Sequence, residues 1–79
     1  MEMNFQGTVN AAWSDIYNDF EYGRAEVFNP GERVQTWNAT PEVAKRMAKE
    51  TFPFKAEIHV EFYGGKKVQC RISDYKLIR

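Results

Sequence analysis

The chain contains one cysteine, Cys70, and one histidine, His59, and these are the first residues to test for chemistry. A thiol beside an imidazole is the smallest constellation for nucleophilic catalysis. Each lies in a segment that alternates apolar and polar residues. Ala56-Glu57-Ile58-His59-Val60-Glu61-Phe62 and Val68-Gln69-Cys70-Arg71-Ile72 read as the two strands of a hairpin around Gly64-Gly65. Opposed residues share a face, so the two apolar sets must meet. A three-residue loop, Tyr63-Gly64-Gly65, achieves this by setting Val60 against Val68, Ile58 against Cys70 and Ala56 against Ile72. The same register opposes Glu61 to Lys67 and Glu57 to Arg71. It turns His59 to the polar side and Cys70 to the apolar side, which separates the would-be base from the would-be nucleophile. Cys70 then reads as a small buried hydrophobe.

The other candidates fail for equally local reasons. Glu57, His59 and Glu61 line one face of a single strand, whereas metal centres draw ligands from several elements, so no metal site is expected. Asp15 and Asp19 stand one turn apart on a helix, but nothing apolar in sequence raises a carboxyl pKa there for acid–base work. Gly64-Gly65 leads into a strand and not into a helix N-terminus, so it is no phosphate cradle. Asn38-Ala39-Thr40 matches a glycosylation sequon, which has meaning only in a secreted chain. No catalytic constellation remains, and the expectation is a protein that is not an enzyme and carries no cofactor.

The elements that must position any site are bounded by size. A chain of 79 residues is one small domain, residues 1–79, and its aromatic share of 15% supplies the large rings that let a small core bury enough surface. The 11 Lys+Arg balance the 11 Asp+Glu, without the basic excess of a dedicated nucleic-acid binder. No run approaches the ~20 apolar residues of a membrane helix. Met1-Glu2-Met3-Asn4 lacks the start of a secretory signal, and a lone cysteine fits a reducing compartment. A cytoplasmic protein is expected.

Trp13, Ile16, Tyr17 and Phe20 follow i, i+3, i+4, i+7 spacing and predict a first helix over 11–22, with Asn10 as its cap and Gly23 as its stop. Residues 24–37 predict a hairpin about Asn29-Pro30-Gly31-Glu32, pairing Val27 with Val34 and Ala25 with Thr36. Thr40-Pro41-Glu42 starts a second helix, expected to reach about Thr51 before Pro53 stops it. The resulting order α-β-β-α-β-β predicts an α+β fold, a mainly antiparallel four-stranded sheet with two helices. The second helix is expected to cover Ala25, Val27, Val34, Ile58, Val60, Val68, Cys70 and Ile72.

The distribution of charge says more than its sum. Residues 1–23 hold Glu2, Asp15, Asp19 and Glu21 and no base, while residues 64–79 hold Lys66, Lys67, Arg71, Lys76 and Arg79 against Asp74 alone. This acidic pole and basic tail either orient the molecule on a charged partner or attract each other within the domain. On the sheet's polar face the hairpin register gathers Phe28, Arg33, Trp37 and Arg71. Aromatic side chains with arginine are the components of protein interfaces and of single-strand nucleic-acid platforms; if the first helix covers that face, Phe28 and Trp37 are core.

The segment from Arg33 to Ser73, a strand, then Asn38-Ala39-Thr40-Pro41-Glu42-Val43-Ala44-Lys45-Arg46-Met47-Ala48-Lys49, then a hairpin, resembles the β-α-β-β core of small phage-encoded proteins, among them anti-CRISPR inhibitors. The resemblance lies in size, composition and element order. It implies a non-enzymatic protein of the host cytoplasm that binds a host protein or ribonucleoprotein complex, such as a CRISPR effector, and blocks its engagement of nucleic acid or nuclease. Asp15, Asp19 and Glu21 would then occupy a basic channel, while Lys66, Lys67 and Arg71 would meet an acidic patch. The alternative is a nucleic-acid-binding module, with Lys66, Lys67, Arg71, Lys76 and Arg79 on phosphates and Trp37 or Phe28 stacking on bases. A third is a self-associating subunit, such as a dimer, joined through an exposed strand edge.

Overall fold

The structure, a computed structural model, describes residues 1–78. Its first element, β1, is a strand of 16 residues over Glu2–Tyr17, and β2 follows over Phe20–Phe28. The expected helix over 11–22 does not form. Asn18 and Asp19 take positive φ, 50° and 61°, as both central residues of a two-residue type I′ hairpin turn must. Tyr17 then opposes Phe20, Asp15 opposes Tyr22 and Trp13 opposes Arg24 in a long two-stranded ribbon. The aromatic residues that imitated a helical stripe are good strand formers, and cross-strand pairing outweighs their helical spacing.

A shift of register between Val9 and Ala11 bends β1 in its middle. Such a bulge adds twist and lets one strand serve two partners. The first half of β1, from Glu2 to Val9, pairs with β4 (Phe54–Tyr63), and the second half pairs with β2. Strand β3 (Gln35–Ala39) continues from β2, and β5 (Gln69–Leu77) lies antiparallel to β4. The ring closes where β3 meets β5 in parallel at Ala39 and Ile72, with the Thr40 N–H donating to the Ile72 carbonyl at 3.0 Å. The result is a closed five-stranded barrel in the order β1-β2-β3-β5-β4, with one helix between β3 and β4. This is the connectivity of an OB-type Greek-key barrel. The expected α+β fold, with two helices on a four-stranded sheet, is therefore corrected to a mostly β barrel with a single helix among the described residues.

That helix, α1 (Pro41–Met47), starts where the sequence places it, since the Thr40 side chain accepts from the Val43 N–H at 3.3 Å. It ends earlier than the expected Thr51, in a turn closed by Lys49 to Arg46 and Glu50 to Met47. Its buried face, Val43, Ala44 and Met47, joins Val9, Ala25, Val27, Ala39, Ala56, Ile58, Val60 and Ile72 in one core.

Two expected registers shift. The turn at Asn29-Pro30-Gly31-Glu32 is present, with the Glu32 N–H donating to the Asn29 carbonyl at 2.9 Å. However, Ala25 opposes Trp37 and Val27 opposes Gln35, which leaves Val34 in the loop at 51% exposure. In the second hairpin Val60 opposes Ile72 and Phe62 opposes Cys70, so the loop is longer than three residues and Val68 is 74% exposed. The shift preserves the faces, and Cys70 packs against the core while His59 does not. No helix among the described residues is long and apolar enough to cross a membrane.

Candidate functional site

Alternation along β2 decides what the barrel shows to solvent. Gly23, Ala25 and Val27 point inward and are buried, so Phe20, Tyr22 and Arg24 point outward. The pairing carries that outer face to Asn38 on β3 and to Tyr17 across the ribbon, while Glu61 with Arg71 and Tyr63 with Gln69 share the outer face of β4 and β5. These surfaces meet in a cleft of about 650 Å³, lined on one side by Phe20, Tyr22 and Arg24 and on the other by Tyr63 and Arg71. Thr40 and Pro41, at the start of α1, also line it.

Gly23 brings those walls together. A Cβ there would lie 2.8 Å from the Ala39 carbonyl oxygen, 2.8 Å from the Ala44 Cβ and 2.9 Å from the Thr40 carbonyl oxygen. Only a residue without a side chain lets β2 approach the β3–α1 junction this closely.

Both walls carry the same motif. The Arg24 guanidinium carbon stands 4.7 Å from the Tyr22 ring centroid, and that of Arg71 stands 4.9 Å from the Tyr63 centroid, both within cation–π range. The contact places each guanidinium over a ring, and a guanidinium has more N–H groups than one such contact engages. Arg71 Nε donates to Glu61 Oε1 at 2.8 Å. Arg24 makes no ion pair among the described residues and donates to the Gly23 carbonyl at 3.2 Å. Glu21, also at the cleft, is paired with Lys45 of α1 at 2.9 Å. Beyond the rim, Tyr17 and Phe20 stand 70% and 72% exposed at the ribbon tip.

Of the residues chosen from sequence, Arg71 and Glu21 reach this cleft. Lys66 and Lys67 lie exposed in the loop that leaves Tyr63. Asp15, Asp19 and Glu21 form no stripe, because Asp15 shares a ribbon face with Tyr22, Glu21 lies on the opposite face with Ile16, and Asp19 is in the turn. Phe28, Arg33 and Trp37 gather instead at a separate recess with Met3 and Phe5. There Trp37 packs on Phe5 at a centroid distance of 5.2 Å and flanks the core. The one-residue register shift turns Trp37 inward beside Ala25, which places Trp37 against the core, while Phe28 and Arg33 line the same recess. Arg79 lies outside the described residues.

Tyr17, Phe20, Tyr22 and Tyr63 were missed in sequence. The signal was present in Asn18-Asp19, a turn pair between Trp13-x-Asp15-x-Tyr17 and Phe20-x-Tyr22-x-Arg24, but the helical reading of the same residues concealed it.

Elsewhere several polar groups have structural partners. His59 Nδ1 is 2.6 Å from Asn4 Oδ1, its Nε2 is 3.4 Å from Glu2 Oε1, and it faces away from Cys70. Among the described residues no group of three or more His, Cys, Asp or Glu is placed to hold a metal ion. The Tyr75 N–H, donated to Asp74 Oδ1 at 2.9 Å, holds the Asp74 carboxyl below its ordinary value against an opposing desolvation, and Arg46 at 3.2 Å lowers it further. Burial pushes the Tyr75 hydroxyl above its ordinary value, with Glu50 acting in the same direction.

The chain matches no protein-family model, no curated protein and no solved structure.

Proposed function

We propose that this is a non-enzymatic cytoplasmic protein that binds a short stretch of single-stranded nucleic acid in the cleft between β2–β3 and the ends of β4 and β5. The observation that carries this reading is the pair of arginine-on-tyrosine stacks facing one cleft from opposite walls, with Tyr17 and Phe20 exposed beside them. Aromatic faces stack on bases without regard to sequence, at about 1–3 kcal/mol per base, and guanidinium edges take phosphates. Lys66 and Lys67 extend the positive field along the β4–β5 loop. Barrels of this connectivity bind oligonucleotides or oligosaccharides on the same face, an analogy of fold that adds weight only beside the site itself. A zero net charge limits affinity, so binding is expected in the micromolar range, with about two to four phosphates engaged.

Fluorescence anisotropy of labelled single-stranded DNA and RNA 12-mers, followed from low to moderate salt, tests the reading. Saturable binding that weakens with salt and is weaker in Tyr63→Ala supports it. Absence of binding at low salt refutes it.

One observation favours a second reading, a stoichiometric inhibitor of a host complex of the anti-CRISPR type. Ile16 is 66% exposed on the ribbon face opposite Tyr17 and Phe20, where no base stacked in the cleft would reach it. An apolar side chain with Glu21 directly opposed to it on the same face suits a protein partner that pairs an apolar contact with a basic group. Capture of the same host complex from a bacterial lysate before and after nuclease treatment, lost on Ile16→Ser, supports that reading. Capture that disappears with nuclease rejects it.

A further inference from the structure

Arg71 is the best placed cation of the cleft, yet in the free protein it is already occupied. Glu61, its directly opposed partner on β4, accepts from Nε at 2.8 Å, and Tyr63 covers one face of the guanidinium at 4.9 Å. Both partners of the ion pair are partly open to water, with side-chain exposures of 44% for Arg71 and 33% for Glu61. A carboxylate and a phosphodiester offer the same charge and the same kind of acceptor oxygen to a guanidinium. Resting on the single-strand reading above, we infer that Glu61 is an internal stand-in for phosphate, a residue that sets the affinity and salt response of the cleft by competing with the ligand for Arg71.

The argument turns on what binding exchanges. A cation with no partner gains a phosphate and releases the counterions that phosphate held, about 0.7 per contact for a single strand. Arg71 instead exchanges one anion for another, and the Glu61 carboxylate that it leaves must be screened by solvent ions. Little net ion release follows at this contact, in contrast to Arg24, which makes no ion pair among the described residues. The device keeps Arg71 oriented on Tyr63 while no strand is bound. It also disfavours weakly placed strands, because only a phosphate in the right position outcompetes a carboxylate already in contact.

Glu61→Gln tests this, because glutamine has nearly the same shape and can still accept from Arg71 Nε while the competing charge is gone. The measurement is anisotropy of a labelled dT 12-mer and rU 12-mer across a salt series, with the thermal midpoint recorded alongside. The inference expects about two- to fivefold tighter binding at low salt, the scale on which partly exposed ion pairs act. It also expects the log–log salt slope to steepen by about 0.7. Glu57→Gln, an acid on the outer face of β4 opposed to Lys76, makes the same change in net charge away from the cleft and should leave both quantities near wild type. In an Arg71→Gln background, Glu61→Gln should have no effect. A second measurement needs no variant: the Arg71 Nε–H resonance should shift on adding the oligonucleotide to the wild-type protein.

Wild-type protein that fails to bind either oligonucleotide at low salt overturns the single-strand reading and the inference with it. Wild-type binding with Glu61→Gln no tighter, or with Glu57→Gln matching it, overturns the inference and leaves the reading standing. An Arg71 Nε–H that does not move on saturation also overturns the inference.

Discussion

Adding one methyl group at Gly23 is expected to destabilise the barrel and loosen the cleft together. The backbone of Gly23 does not take positive φ, so alanine is conformationally allowed and any penalty comes from packing. The new Cβ would meet two backbone carbonyl oxygens, of Ala39 at 2.8 Å and Thr40 at 2.9 Å, and the Ala44 Cβ at 2.8 Å. None is the end of a flexible side chain, so relief requires β2 to move off the β3–α1 junction. Overpacking of this kind costs about 1–3 kcal/mol, while the reduced entropy of the unfolded chain returns about 0.4–1 kcal/mol. The midpoints leave a net loss of about 1.3 kcal/mol, which for a domain of this size lowers the melting temperature by roughly 5–10 °C. Urea unfolding followed by tryptophan fluorescence measures it directly. Because Thr40 and Pro41 line the cleft, the same variant should also bind oligonucleotide more weakly than its folded fraction accounts for. A Gly23→Ala protein as stable as wild type would refute the close approach on which the geometry of the cleft rests.

Tyr22→Ala and Tyr63→Ala should each weaken single-strand binding by about 1–3 kcal/mol with little change in melting temperature, read by anisotropy on folded protein. Thr40→Ala removes the side-chain acceptor of the Val43 N–H and should cost about 1 kcal/mol in urea unfolding. Asp74 has a folded pKa below 3.8, so its contribution is present above that value and is lost as pH falls through the folded pKa. Acid unfolding of Asp74→Asn should therefore show a smaller loss of stability below pH 3.8 than wild type.

Features that depend on neighbours in the chain were legible in sequence. The turn at Asn29-Pro30-Gly31-Glu32, the Thr40 cap with Pro41 in the first turn, and the alternation that puts Ile58 and Val60 inside and His59 outside all stand in the structure. Each rests on a fixed φ, a hydrogen bond three residues away or the two-residue period of a strand, and such interactions need no distant partner. Residues 11–22 were not legible, because Trp13, Ile16, Tyr17 and Phe20 satisfy a helical spacing and a ribbon equally well at short range.

Tertiary structure settled that ambiguity and the registers. Val27 was matched to Val34 by local turn logic, but closing the barrel requires Ala25 opposite Trp37, and one step along a strand reverses every side chain. The closure itself is a parallel contact between Ala39 and Ile72, far apart in sequence. Tyr22, Arg24, Tyr63 and Arg71 share a cleft only because that closure brings β2 and β3 beside the ends of β4 and β5. Composition alone established a single cysteine, balanced charge and a wealth of aromatic rings. Which of those rings became core and which face the cleft was decided by burial summed over the whole barrel, a quantity that no local stretch of the chain contains.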